Sequence, residues 1–271
     1  MTTNARAERF AALHQAGCFL LPNAWDAGSA RLLASLGPVA LATTSAGAAW
    51  TFGRRDSALS RDEAMGNAAA ILAETSLPVS ADLEDGYGPA PADCASTVRA
   101  AIEAGLAGCT IEDTTRDAAA PIHGFDAAVA RVQAAVAAVR EKGRPFVLTA
   151  RAENFLHGRP DLDDTIRRLA AFAEAGADCL YAPALPDLDA IRRVVAAVAP
   201  KPVNVLIGPR AGLVPLAVLA EAGVRRVSLG GALARAAYGE ALALSRALLA
   251  GDLPRLAAVP AHAAVNGLMR P

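Results

Sequence analysis

Apolar residues along this chain fall in short, largely unbroken runs. Each run is followed by a longer segment in which Ala, Leu, Arg and Glu recur at helical spacing. The runs are Cys18–Pro22, Val39–Ser45, Pro78–Glu84, Gly108–Asp113, Phe146–Arg151, Cys179–Ala184, Pro202–Gly208 and Arg225–Gly231. An unbroken apolar run marks a strand covered on both faces, as in a parallel sheet. Ser60-Arg-Asp-Glu63 has the form of a capping box and opens a helix at about 61–75. Gly105, Gly176 and Gly223 follow helical stretches where a left-handed residue closes a helix. Eight such units predict an α/β fold, a (β/α)8 TIM barrel forming one domain over 1–271, in preference to an open doubly wound sheet. The tail from about 252, with Pro254, Pro260 and Pro271, is expected to pack on a partner subunit.

Composition agrees with a large core. The chain has 271 residues and is 54% hydrophobic, but only 4% aromatic, so Ala, Leu and Val must fill the interior. The net charge of -1 and the lack of a basic run give no reason to expect nucleic acid or a membrane surface as a partner. Cys18, Cys94, Cys109 and Cys179 are widely spaced, which argues against a disulfide framework or a zinc site. Met1–Arg9 is polar and unlike a secretory signal, and no apolar stretch suits a bilayer, so a cytoplasmic setting is expected.

In a TIM barrel the chemistry sits at the C-terminal ends of the strands. Those ends carry Thr43-Thr44-Ser45-Ala46-Gly47, Asp82-Leu83-Glu84, Glu112-Asp113, Arg151-Ala152-Glu153 and Asn204. Asp82 and Glu84 are two apart, which on a strand places both on one face, and Glu112 enters from the next strand. Alone, such a pair reads as solvated acids; three acids at one mouth point to a hard divalent cation such as Mg2+. Arg151 is either a bidentate clamp on a carboxylate or the partner of an acid such as Glu153. Ser45, Ala46 and Gly47 read as a strand-ending turn whose hydroxyl and N–H groups can cradle a carboxylate. Gly230-Gly231 reads as a tight βα turn in preference to a phosphate site. The only lysines, Lys142 and Lys201, fall away from the mouth, which disfavours Schiff-base chemistry. No G-x-G-x-x-G motif follows a strand, so a dinucleotide site has no support.

Taken in order, Leu21-Pro-Asn-Ala-Trp-Asp26, Thr43-Thr-Ser-Ala-Gly47, Asp56, Asp82-Leu-Glu-Asp-Gly-Tyr-Gly88, Ile111-Glu-Asp113 and Thr149-Ala-Arg151 resemble the isocitrate lyase/phosphoenolpyruvate mutase superfamily over nearly the whole chain. The resemblance implies that Asp82 is the direct Mg2+ ligand, with Glu84, Glu112 and Asp56 acting mostly through water. It implies that Ser45, Ala46 and Gly47 hold the carboxylate of a 2-oxo acid, and that Arg151 clamps the substrate. Asn204 is similar to a polar residue of some members. The resemblance also implies a homo-oligomer, dimer or tetramer, in which a C-terminal helix is exchanged. The loop Asp113-Thr-Thr-Arg-Asp-Ala-Ala-Ala-Pro-Ile-His-Gly124 departs from the pattern: it lacks the cysteine of the family's lyases and the lysine of its phosphonate-forming mutases. Arg116 and His123 remain there, and His123 is either a proton donor or an ordinary exposed histidine. The expectation is therefore Mg2+-dependent C–C cleavage or decarboxylation of an oxaloacetate- or 2-oxoglutarate-like acid through an enolate. The alternatives are P–C bond chemistry on phosphonopyruvate, or binding of a 2-oxo acid without turnover.

Overall fold

A computed structural model describes residues 2–207 and 214–270. Met1, Pro271 and Gly208, the last residue of the seventh apolar run, lie outside the described residues. The strands are β1 (Phe19–Leu21), β2 (Asn23–Ala24), β3 (Leu41–Thr43), β4 (Val79–Asp82), β5 (Gly108–Glu112), β6 (Val147–Arg151), β7 (Cys179–Tyr181), β8 (Val203–Leu206) and β9 (Arg226–Ser228). Every pairing is parallel, and the order is β1-β9-β8-β7-β6-β5-β4-β3-β2. The two ends of that order belong to one chain segment. β1 pairs with β9, Pro22 interrupts, and β2 pairs with β3. Proline has no N–H to continue a ladder, although its carbonyl still accepts from Ala42 N at 2.9 Å. The result is a nearly closed TIM-like barrel, and the open doubly wound alternative falls.

Each of the eight apolar runs holds a strand, but the strands are shorter than the runs. The second run ends in a helix start at Ser45, and the sixth stops at Tyr181. The helices are α1 (Thr3–Leu13), α2 (Ala27–Ala34), α3 (Ser45–Thr51), α4 (Arg61–Ala73), α5 (Pro91–Glu103), α6 (Phe125–Lys142), α7 (Leu162–Ala175), α8 (Leu188–Val198), α9 (Leu216–Glu221), α10 (Ala232–Leu249) and α11 (His262–Asn266). The predicted capping box opens α4: Ser60 Oγ accepts from Glu63 N, and the Glu63 carboxylate accepts from Ser60 N at 2.9 Å. Gly176 closes α7 with φ 110°. Helix faces cover the outside of the barrel with small apolar residues such as Ala101, Ala135 and Val194. At the bottom, Ala7 and Phe10 of α1 pack with Phe19, Val147 and Cys179. Gly108 is dictated by packing, since a Cβ there would stand 2.5 Å from the Val147 carbonyl oxygen.

α10 is largely exposed: of its 18 residues only Ala234 is fully buried. The tail turns back onto its own barrel, where Arg31 Nε donates to the Leu268 carbonyl at 3.0 Å and Arg270 pairs with Glu74 at 2.9 Å. Among the described residues, no helix is long and apolar enough to cross a membrane.

Candidate active site

Asp82, the last residue of β4, is the hub of the barrel mouth. One of its carboxylate oxygens accepts from Ser45 N at 3.2 Å and Ser45 Oγ at 3.0 Å. The other accepts from Thr110 Oγ1 at 3.1 Å and Arg151 Nη1 at 2.9 Å. Ser45 Oγ also lies 3.2 Å from Asp56 Oδ1, and its single proton can serve only one acid at a time. Ser45, Ala46 and Gly47 are not a strand-ending turn, as the sequence pattern suggests, but the first turn of α3, capped by Thr44 Oγ1 accepting from Gly47 N.

Glu84 arrives by a different route from the one expected. β4 ends at Asp82, so strand alternation does not align the two acids. Instead Glu84 has φ 47°, a left-handed conformation that costs a non-glycine residue roughly 1–2 kcal/mol. That turn delivers the buried carboxylate to the mouth, 3.5 Å from Arg116 Nη2. Burial, then repulsion from Asp82, Glu112 and Asp56, pushes Glu84 up to about 8. Glu112 ends β5, accepts from Thr114 Oγ1 at 2.8 Å and lies 3.0 Å from Arg151 Nη1. Burial pushes it up to about 7 against the opposing pull of Arg151. Burial and then Asp82 also raise Asp56.

Arg151 contacts three acids, adding Glu153 at 2.7 Å, and its guanidinium lies 4.9 Å from the Tyr181 ring centre. The ion pair with Glu153 is therefore present, alongside two further pairs that face the mouth. Asn204 is buried, donating to Ser228 Oγ at 3.0 Å and accepting from Arg226 Nε at 2.8 Å. Gly230 belongs to a tight turn: its N–H and that of Leu229 both donate to Asn23 Oδ1. Asp85 and Asp113 are buried and structural, held by Arg116 and by Arg168 respectively.

Two cavities open at this mouth. The inner one, about 170 Å3, is bordered by Ser45, Asp56, Asp82, Arg151, Asn204 and Arg226. The outer one, about 520 Å3, is bordered by Glu84, Glu112, Arg116, Asp117 and His157. His123 borders neither. It sits at the base of the 113–124 loop, its N–H donating to the Asp113 carbonyl and its carbonyl accepting from Arg168. Arg116 ties that loop to Asp85 and to the Ser57 carbonyl. Lys142 ends α6, and Lys201 borders a cavity with His14 at the opposite end of the barrel.

Sequence reading missed Thr110, Tyr181, Asn23, His157 and Arg226. Thr110 and Tyr181 are found only through strand register, which sets them beside Asp82 and Arg151. His157 and Arg226 lack a local signal, since loop path and barrel closure place them.

The acids suit a hydrated divalent cation better than a protein-only cage. Among the described residues no three His, Cys, Asp or Glu side chains form a ready-made metal cluster. Mg2+ commonly takes one or two carboxylates and keeps several waters. Repulsion among Asp56, Asp82, Glu84 and Glu112 is what such a cation would relieve.

Comparison with known proteins agrees with this fold. The crystal structure of a lyase/mutase candidate from Burkholderia cenocepacia J2315 is 50% identical, with a TM-score of 0.94, covering 98% of this chain and 95% of that one. The uncharacterized protein Rv1998c of Mycobacterium tuberculosis H37Rv is 34% identical over 244 residues, 89% of each chain. A 2,3-dimethylmalate lyase structure, a PEP mutase/isocitrate lyase superfamily member, is 26% identical with a TM-score of 0.86, covering 99% of this chain and 95% of that one. The phosphoenolpyruvate phosphomutase family model matches residues 10–249. The chain belongs to that family and, with it, to the PEP mutase/isocitrate lyase superfamily.

Proposed function

We propose that this protein is a Mg2+-dependent enzyme that cleaves or decarboxylates a small 2-oxo acid of the oxaloacetate or 2-oxoglutarate type. The observation that carries the reading is the convergence of Ser45, Arg151, Asp56 and Asp82 on the inner cavity, with Glu84 and Glu112 at the adjoining outer one. Asp82 would hold the ion directly, with Asp56, Glu84 and Glu112 around its waters. Bound there, Mg2+ supplies Lewis-acid stabilisation of negative charge on the 2-oxo oxygen. Ser45 and the first-turn amide of Ala46 orient the carboxylate, while the Gly47 amide is held by Thr44 Oγ1. Arg151 offsets charge that builds on the substrate and is itself fixed by Glu153. Glu112, held at Oε1 by Thr114 and at Oε2 by Arg151, is suited to accept a hydrogen bond from a water of the ion or from the substrate. In the outer cavity the role of a proton-donor histidine falls to His157 rather than His123. The similarity to a 2,3-dimethylmalate lyase supports C–C chemistry. The family description makes phosphonopyruvate the necessary comparator.

The test is thermal stabilisation by pyruvate, oxalate, oxaloacetate, 2-oxoglutarate and phosphonopyruvate, with and without Mg2+, followed by product analysis. A ligand at ~100 times its Kd stabilises by about 2.7 kcal/mol. A 2-oxo diacid that stabilises only with Mg2+ and is then consumed is the expected result. Faster turnover of phosphonopyruvate than of any 2-oxo diacid overturns the C–C reading. Metal-dependent binding without turnover of any acid would make the protein a binder.

A further inference from the structure

Arg226 is a cation in the middle of the barrel, only 1% exposed. Its Nε donates to Asn204 Oδ1 at 2.8 Å, its Nη2 to Thr149 Oγ1 at 3.0 Å, and its Nη1 lies 3.2 Å from His14 Nε2. His14 Nδ1 stands 2.8 Å from the Phe10 carbonyl and must donate to it, so Nε2 is the acceptor and the imidazole is neutral. Burial and Arg226 push His14 down to about 3, which agrees. All three partners of Arg226 are thus neutral. Arg151, which borders the same cavity, by contrast pairs with three carboxylates. A buried charge without a counter-charge is costly, and a guanidinium has five donors where three partners are described.

Arg226 also borders the inner cavity, as do Ser45, Asp82 and Arg151. Thr149, its partner, is two residues below Arg151 on β6, so Arg226 lies about 7 Å beneath the acid-rich rim. The cavity is polarised: excess carboxylates at the rim, where a cation fits, and one uncompensated guanidinium at the floor.

We propose that the floor of the inner cavity is an anion site built on Arg226, and that its occupant in the reaction is the second carboxylate of a four-carbon 2-oxo diacid. The site itself stands on Arg226 and the cavity. Its occupant rests on the reading above, in which the other end of the acid lies at the metal rim. Arg226 is then a specificity-determining residue that separates diacids from monoacids of the same head group.

Two measurements on the full chain test this. In crystals soaked in bromide, anomalous scattering should place a halide against the Arg226 guanidinium, and Arg226→Met should lose it. An empty floor in the wild type, or a halide that survives in Arg226→Met as an adventitious ion only, overturns the anion site. In calorimetry with Mg2+, malate and lactate share a 2-hydroxy acid head and differ by the second carboxylate. Malate should bind the wild type at least tenfold more tightly. That preference should vanish in Arg226→Met and survive in part in Arg226→Lys. A preference unchanged in Arg226→Met overturns the assignment of the occupant. If neither acid binds the wild type, the proposed function fails, and the halide result alone decides the anion site.

Discussion

Four hydrogen bonds, one of them the ion pair with Arg151, meet at one carboxylate, Asp82, which on the proposed reading is also the direct ligand of a cation. Removing it leaves Arg151 still bound to Glu112 and Glu153, so the strand end should keep its shape. Asp82→Ala is therefore expected to fold but to lose Mg2+-dependent ligand stabilisation, read by circular dichroism and thermal shift in parallel. A folded variant with an unchanged metal-dependent shift would remove Asp82 from the metal site. His14 makes a prediction of another kind. Its folded value, about 3, lies below the 6.5 of an unfolded histidine, so between those values the unfolded chain binds more protons. Stability from this group is complete above pH 6.5 and is lost as pH falls toward 3, with a limiting slope of about 1.4 kcal/mol per pH unit. Denaturant titrations of wild type and His14→Gln should show a shallower acid limb in the variant. Parallel curves would place the proton elsewhere.

At the scale of elements, strand ends and helix starts build the site together. β3 ends in Thr43 and α3 begins two residues on at Ser45, so the hydroxyl that meets Asp82 is fixed by backbone on both sides. β5 and β6 are held in close register from Gly108–Val147 to Glu112–Arg151, which brings the acid and the arginine side by side. Gly108→Ala should push on the Val147 carbonyl and cost about 1–3 kcal/mol, read as a lowered denaturant midpoint. Gly66, inside α4, has open space where a Cβ would go. Gly66→Ala should stabilise by about 0.4–1 kcal/mol, read as a raised midpoint. A midpoint that Gly108→Ala leaves unchanged or raises would overturn the packing account of Gly108.

The whole molecule places its chemistry at one end and leaves an apolar helix on its flank. Leu242 and Leu249 of α10 are exposed at 56% and 90%, and Leu253 and Leu256 follow just beyond. Patches of this kind mark interaction surfaces, and superfamily resemblance suggests a second copy as the occupant. Sedimentation is expected to show a dimer or tetramer, with Leu242→Asp plus Leu249→Asp shifting it toward monomer. A wild-type monomer at micromolar concentration would leave α10 facing solvent.

The sequence alone determined the number and order of β/α units, because unbroken apolar runs and helix caps are local signals. It also determined which ends carry Asp82, Glu112 and Arg151, since polar residues stand out against so apolar a chain. Tertiary structure decided the rest. Glu84 reaches the mouth through a left-handed turn rather than strand alternation, and Ser45 stands in a helix rather than a turn. His157 replaces His123 at a cavity wall because the 113–124 loop folds back through the Thr114–Ile122 bridge. Arg226 meets His14, 212 positions away, only because the barrel closes and α1 covers its base. Such contacts depend on register and closure, which join distant residues, and no local pattern along the chain encodes them.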